Sequence, residues 1–125
     1  MFNHLKIKTM DIKALATEMD SIVAQGAIVD AVKQFFAEDA TTSDYNNLTT
    51  KNKAQMVEKM EGFANSIKKV NGITHHHTIV DGNVSASEFT FDFEMTDNST
   101  IYWHEIIRRI WNNDGQVVQE EYFNA

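Results

Sequence analysis

Glu105 is the ionisable residue best placed to do chemistry in this chain. Period-2 alternation through Trp103-His104-Glu105-Ile106 puts it on one strand face with Ile101, Trp103 and Ile107. A carboxyl group in that company is at least partly desolvated. Desolvation raises its pKa, as a general acid or base working near neutrality requires. The competing role is a structural ion pair with Arg108 or Arg109. Glu120, on a neighbouring strand, is expected to lie across from Glu105, so that two carboxyls share one space, with the Tyr122 phenol on the same face. The alternative is that Glu120-Glu121 forms the wet edge of a strand. His75, His76 and His77 are consecutive. On a regular strand His75 and His77 share a face and His76 takes the other. A histidine facing inward would carry a proton near pH 7. Two on one face with a carboxylate would suit zinc, but zinc needs three or four convergent ligands and this spacing forces none. No metal and no cofactor are assigned. Glu105, His77 and Glu120 are therefore the candidate catalytic residues. Trp103, Tyr122, Phe91, Phe93, His75 and Arg109 are the candidate ligand-binding residues.

These residues need a sheet to hold them, and the stretch from Val84 to Phe123 supplies one. Val84–Met95 puts Phe89, Phe91, Phe93 and Met95 on one face and Glu88, Thr90, Asp92 and Glu94 on the other. Asp97-Asn98-Ser99 turns the chain into Thr100–Trp111, and Asn112-Asn113-Asp114-Gly115 turns it into Gln116–Phe123. Upstream, Ile73–Val80 reads as a strand that enters Val84 through Asp81-Gly82. Together these predict a four-stranded antiparallel meander. The run Ile106-Ile107-Arg108-Arg109 breaks the alternation and predicts a bulge, or a strand leaving the core.

Helical periods precede the sheet. Ile12, Leu15, Ala16, Met19, Ile22 and Val23 follow one helical stripe, with Thr9 or Asp11 as cap and Gly26 as terminator. A second helix carries Val32, Phe35 and Phe36 and stops near Glu38-Asp39. Ala40–Tyr45 is a weak strand turned by Asn46-Asn47. A third helix, capped by Thr49 or Thr50, carries Met56, Met60 and Phe63 and runs to about Lys69. Residues 1–10 are expected to form an N-terminal arm and residues 11–125 a single domain. Helices segregated from an antiparallel sheet define an α+β domain. Long strands twist, so the sheet is expected to curl around its apolar face and leave a pocket beyond the helices.

Composition narrows the function classes. The chain has 125 residues, no cysteine and a net charge of −7, with eleven scattered Lys and Arg. Disulfides and thiolate metal sites are excluded, which fits a cytoplasmic location. The field repels nucleic acid. No segment has the ~20 apolar residues of a membrane helix, and the first ten residues contain no secretory signal.

Three stretches resemble one known family. They are Val32-Lys33-Gln34-Phe35-Phe36-Ala37-Glu38-Asp39-Ala40, Trp103-His104-Glu105-Ile106, and Asn113-Asp114-Gly115-Gln116-Val117-Val118-Gln119-Glu120-Glu121-Tyr122-Phe123. In this order the chain resembles the nuclear transport factor 2-like superfamily, in its SnoaL-like polyketide cyclase and ketosteroid isomerase-like branch. The resemblance implies a cystatin-like α+β cone of three N-terminal helices on a strongly curved, mainly antiparallel sheet. It also implies a homodimer formed through the outer sheet face, where Tyr102, Ile106 and Ile110 would otherwise be exposed. The function expected is binding of a small apolar or aromatic molecule, with proton-transfer chemistry (isomerisation, dehydration or cyclisation). The alternative is a non-catalytic binding or dimerisation module.

Overall fold

The computed structural model describes residues 11–125. The expected arm at 1–10, and Thr9 as a cap, lie outside the described residues. Helix α1 (Ile12–Ala24) starts where the Asp11 carboxylate accepts a hydrogen bond from the Ala14 N–H at 3.0 Å, and it stops before Gly26, which takes φ +88°. Helix α2 (Ile28–Phe35) is shorter than its sequence suggests. The chain becomes extended at Phe36 and forms β1 (Phe36–Asp44), because Phe36 pairs in parallel with Val117 and is buried there. Sheet pairing overrides the helical preference of Ala37-Glu38.

Strand β2 (Asn47–Thr50) was not predicted, and the turn into it sits one residue earlier than expected, at Tyr45-Asn46. Helix α3 (Lys53–Ser66) is capped by Asn52 rather than Thr49 or Thr50, the Asn52 side chain accepting from the Gln55 N–H at 2.8 Å. It ends at Ser66, since Ile67 already pairs with Met95. Strand β3 (Ile67–Asp81) is thus much longer than expected. It is an edge strand, wet along most of its length, with register shifts at Ile67/Lys69, Val70/Gly72 and His75/His77. A strand with no continuous dry face leaves no alternation to read.

The meander continues through β4 (Val84–Met95), β5 (Thr100–Trp111) and β6 (Val117–Asn124). Burial alternates without a break along β4, with Phe89, Phe91, Phe93 and Met95 inside. The sheet order is β2-β1-β6-β5-β4-β3, and only the β1–β6 pairing is parallel. Among the described residues, three helices pack on one face of this curved, mainly antiparallel sheet. The result is the α+β cone. Its core runs from Met19, Val32 and Phe35 on the helices to Phe89, Ile107 and Trp111 on the strands. Each such side chain contributes about 1.5–3 kcal/mol by leaving water.

Alternation also holds where a break was expected. Glu105, Ile107, Arg109 and Trp111 all face inward, and the β4–β5 register has no shift. Arg109 does not interrupt the apolar face; it is 1% exposed and fully paired within it.

Candidate functional site

Beyond the helices the curved sheet leaves a cavity of about 380 Å³. Its walls are largely apolar. Met19, Val23 and Val32 come from the first two helices, and Met60 and Phe63 from α3. Phe91, Phe93, Trp103 and Ile107 come from the sheet. Phe63 stacks on Trp103 with ring centroids 5.7 Å apart and an interplanar angle of 14°. Six ionisable side chains besides Glu105 reach this space: Asp44, Tyr45, Lys59, Arg109, Glu120 and Tyr122.

Glu105 is 5% exposed and lines the cavity. Neither Arg108 nor Arg109 pairs with it. Its partner is the Tyr45 hydroxyl, which donates to Glu105 Oε2 across 60 positions of sequence. Burial pushes the Glu105 carboxyl above its ordinary range. The Tyr45 hydrogen bond opposes that shift, the Asp44 charge adds to it, and Lys59 works against it. Lys59 Nζ binds Asp44 Oδ2 at 2.7 Å and Thr49 Oγ1 at 3.2 Å, which engages two of its three N–H donors.

Tyr45 owes its position to an unusual turn. It has φ +52° and Asn46 has φ +70°, as a two-residue hairpin loop between Asp44 and Asn47 of type I′ requires. Left-handed backbone costs a non-glycine residue roughly 1–2 kcal/mol. The Tyr45 N–H donates to the Tyr122 carbonyl at 2.9 Å, which ties this strained turn to β6 beside the cavity.

Burial, the bond to Glu105 and its charge together push the Tyr45 phenol up to about 12. Burial, and then the Glu120 charge, also holds the Tyr122 phenol well above its ordinary value. Between about pH 10 and about pH 12 the folded chain keeps the Tyr45 proton that the unfolded chain has released. The associated stability is therefore complete below pH 10 and is lost as pH rises through 12. Denaturant midpoints measured across that window should fall with pH. Tyr45→Phe should flatten part of the slope, leaving the part due to Tyr122.

Deeper in the cavity lies a buried ionic network. Arg109 donates to Asp20 Oδ1 at 2.7 Å through Nη1 and to Glu120 Oε2 at 2.8 Å through Nε. Ser87 and Thr78 donate to Asp20 Oδ2, and Tyr122 donates to Glu120 Oε1 at 2.7 Å. Burial works against the Arg109 charge, but the Glu120 and Asp20 carboxylates outweigh it and raise the guanidinium above its ordinary value. Among the described residues every buried side-chain polar atom has a partner.

The sequence-predicted residues divide accordingly. Glu105, Glu120, Trp103, Tyr122, Phe91, Phe93 and Arg109 all line the cavity. The expected juxtaposition of Glu105 and Glu120 does not occur. The register sets Glu120 opposite Arg109 and Glu105 opposite Asn124. The Glu120 charge is taken up by Arg109, and the Tyr122 proton by Glu120.

His77 is not in the cavity. The register shift between His75 and His77 undoes the simple alternation, and the His77 side chain is 70% exposed, beside Glu88 on the outer sheet face. His75 stays inside but outside the cavity lining, with Nε2 2.7 Å from Thr78 Oγ1 and 3.6 Å from Asp20 Oδ2. His75 and His77 thus cannot share a metal in the way a regular strand would allow. Tyr45, Lys59 and Asp20 were missed. Only the Asp-Tyr-Asn-Asn stretch at 44–47, rich in turn-forming residues, hinted at the first of them.

No family model matches the sequence, and no curated protein matches it. Solved structures do. A proposed SnoaL-like polyketide cyclase from Mesorhizobium loti superposes with TM-score 0.80 at 18% identity, covering 91% of this chain and 99% of that one. An uncharacterised cystatin-fold protein from Novosphingobium aromaticivorans gives 0.78 at 12% identity, covering 92% and 99%. A ketosteroid isomerase-like protein from Catenulispora acidiphila, solved with trimethylamine, gives 0.71 at 13% identity, covering 94% and 87%. The chain has the α+β cone fold of these solved structures, which include SnoaL-like, ketosteroid isomerase-like and cystatin-fold proteins.

Proposed function

We propose that this chain binds a small, largely apolar or aromatic molecule in the cone and moves a proton on it, with Glu105 as the base. The observation that carries this reading is a buried carboxyl group in an apolar cavity that, among the described residues, has no cation bonded to it and a single tyrosine hydroxyl holding it. A carboxylate so placed is poorly solvated and oriented, so it accepts a proton more readily than one in water. The Lys59 ammonium lines the cavity, has one N–H uncommitted among the described residues, and is the group available to an oxygen that gains negative charge. Isomerisation, dehydration and cyclisation through an enol-like intermediate all fit this pair. A cavity of about 380 Å³ suits a ligand of one to a few rings.

The test is deuterium exchange. A panel of small cyclic and aromatic ketones is incubated with the protein in D₂O, and loss of the α-proton signal is followed by NMR. The expected result is exchange in at least one ketone that binds, lost in Glu105→Gln. Ketones that bind without exchange would replace the catalytic reading with a binding-only one. Exchange that survives Glu105→Gln would remove Glu105 from the mechanism.

The outer sheet face supports pairing of two copies. Tyr102 is 71% exposed there, and Ile106 and Ile110 are half-buried beside it. Sedimentation at micromolar concentration should give the mass of a dimer, and Tyr102→Glu with Ile106→Glu should return it to that of a monomer.

A further inference from the structure

The outer face of the sheet, remote from the cavity, gathers a second set of side chains. His76 on β3, Glu88 on β4 and His104 on β5 bring one ligand atom each to within 4.8 Å of one another. The register explains why three strands converge here. Glu88 and Thr90 alternate outward along β4, and Thr90 is paired with His104. The shift between His75 and His77 leaves His76 as the extra residue, on the face opposite His75, and brings His77 onto that same outer face. His104 Nε2 lies 2.6 Å from Glu88 Oε2, and His76 Nε2 lies 2.8 Å from Thr90 Oγ1. The two imidazole rings are 5.4 Å apart. His77 stands next to them, its Nε2 4.0 Å from Glu88 Oε1.

We propose that His76, Glu88 and His104 form a binding site for a divalent transition-metal ion of the Zn²⁺ class on the outer face of the sheet. Two imidazoles and one carboxylate are a ligand set that zinc accepts, at about 2.0–2.2 Å from each atom. A tetrahedral ion at such distances needs its ligand atoms about 3.4 Å apart. The present spacing reaches that value by small ring rotations that exchange the contacts with Thr90 and Glu88 for metal bonds. His77 is the nearest further imidazole, its Nε2 4.0 Å from Glu88 Oε1. All three ligands come from one chain, so binding does not require a second copy. Mg²⁺ and Ca²⁺ prefer oxygen ligands and do not suit this set.

The experiment uses the full chain, produced without an added histidine tag. Zn²⁺ binding is followed by calorimetry and Co²⁺ binding by visible absorption. The expected results are one ion per chain, a Co²⁺ spectrum typical of low coordination number, and a raised melting temperature with Zn²⁺ but not with Mg²⁺. His104→Ala is the decisive variant. Because His104 is far in sequence from the histidine run, its removal separates a cross-strand site from chelation by His75-His76-His77 alone. Affinity should fall at least about tenfold in His104→Ala and in His76→Ala, a loss of about 1.4 kcal/mol or more. Unchanged Zn²⁺ affinity in the folded His76→Ala/His104→Ala double variant would overturn the assignment. So would equal binding of Mg²⁺, or no Zn²⁺ binding by the parent chain.

Discussion

Arg109→Met should destabilise the chain by about 3–5 kcal/mol, the range for removing one partner of a buried ionic cluster. Total stability of a domain this size is of order 5–15 kcal/mol, so the variant should sit close to unfolding at 37 °C, with a melting temperature lowered by roughly 10–20 °C. The reason is not the loss of two hydrogen bonds. Asp20 and Glu120 are 0% and 1% exposed, and without the guanidinium neither keeps a Lys or Arg partner, the nearest other group being the His75 imidazole 3.6 Å from Asp20 Oδ2. The remaining donors are neutral: Ser87 and Thr78 on Asp20, Tyr122 on Glu120.

A second set of substitutions distinguishes this cause from a packing defect. Adding Asp20→Asn and Glu120→Gln should restore most of the loss at neutral pH, since the amides keep acceptors for the hydroxyl donors and carry no charge. If the triple variant is no more stable than Arg109→Met alone, unpaired charge is not what the arginine prevents.

The same residue shows where sequence reading ran out. Val84–Met95 was legible because from Glu88 onward its side chains follow one rule, apolar inward and polar outward. The last strands were legible for the same reason, and so was the placement of Glu105 among Trp103 and Ile107. Arg109 obeys the geometry of alternation but not its chemistry. A charged residue at an inward position looks like a broken period unless its partners are known, and they lie 89 and 11 positions away. The three histidines failed for the converse reason. One extra residue in β3 re-aims His77 to the face of His76, and a bulge on a wet edge strand leaves no mark in hydrophobicity.

For Tyr45 only the turn was hinted at, not the role. Its role depends on a turn that places a tyrosine in left-handed backbone, where glycine or asparagine would be expected. Nothing local to residues 44–47 announces that the hydroxyl will end on Glu105. Overall architecture was readable because it is written in many weak, repeated choices. The site was only partly readable because it depends on a few single, long-range ones.

Glu105→Gln should lower turnover by about 10²–10⁴-fold, the contribution of a positioned general base, while leaving the melting temperature unchanged or raised. The two effects have opposite signs because they have one origin. Burial that makes this carboxylate a ready proton acceptor also makes it expensive to hold charged in the folded chain, and glutamine removes the charge while still accepting from the Tyr45 hydroxyl. A residue kept only for structure would lose stability on substitution. Tyr45→Phe should behave differently. It leaves the buried carboxylate without its donor, so stability should fall by roughly 1–3 kcal/mol, although relief of Glu105 by proton uptake limits the loss. Turnover should fall less than for Glu105→Gln, because the base is still present but no longer oriented. In the Glu105→Gln background the stability penalty of Tyr45→Phe should shrink, since the acceptor is then neutral. Binding of an apolar ligand should survive both changes, because Phe63, Phe91, Phe93 and Trp103 still form the cavity walls. A Glu105→Gln protein that turns over normally, or that melts well below the parent, would show that the acid in the cone is a structural element and that the proton is moved elsewhere.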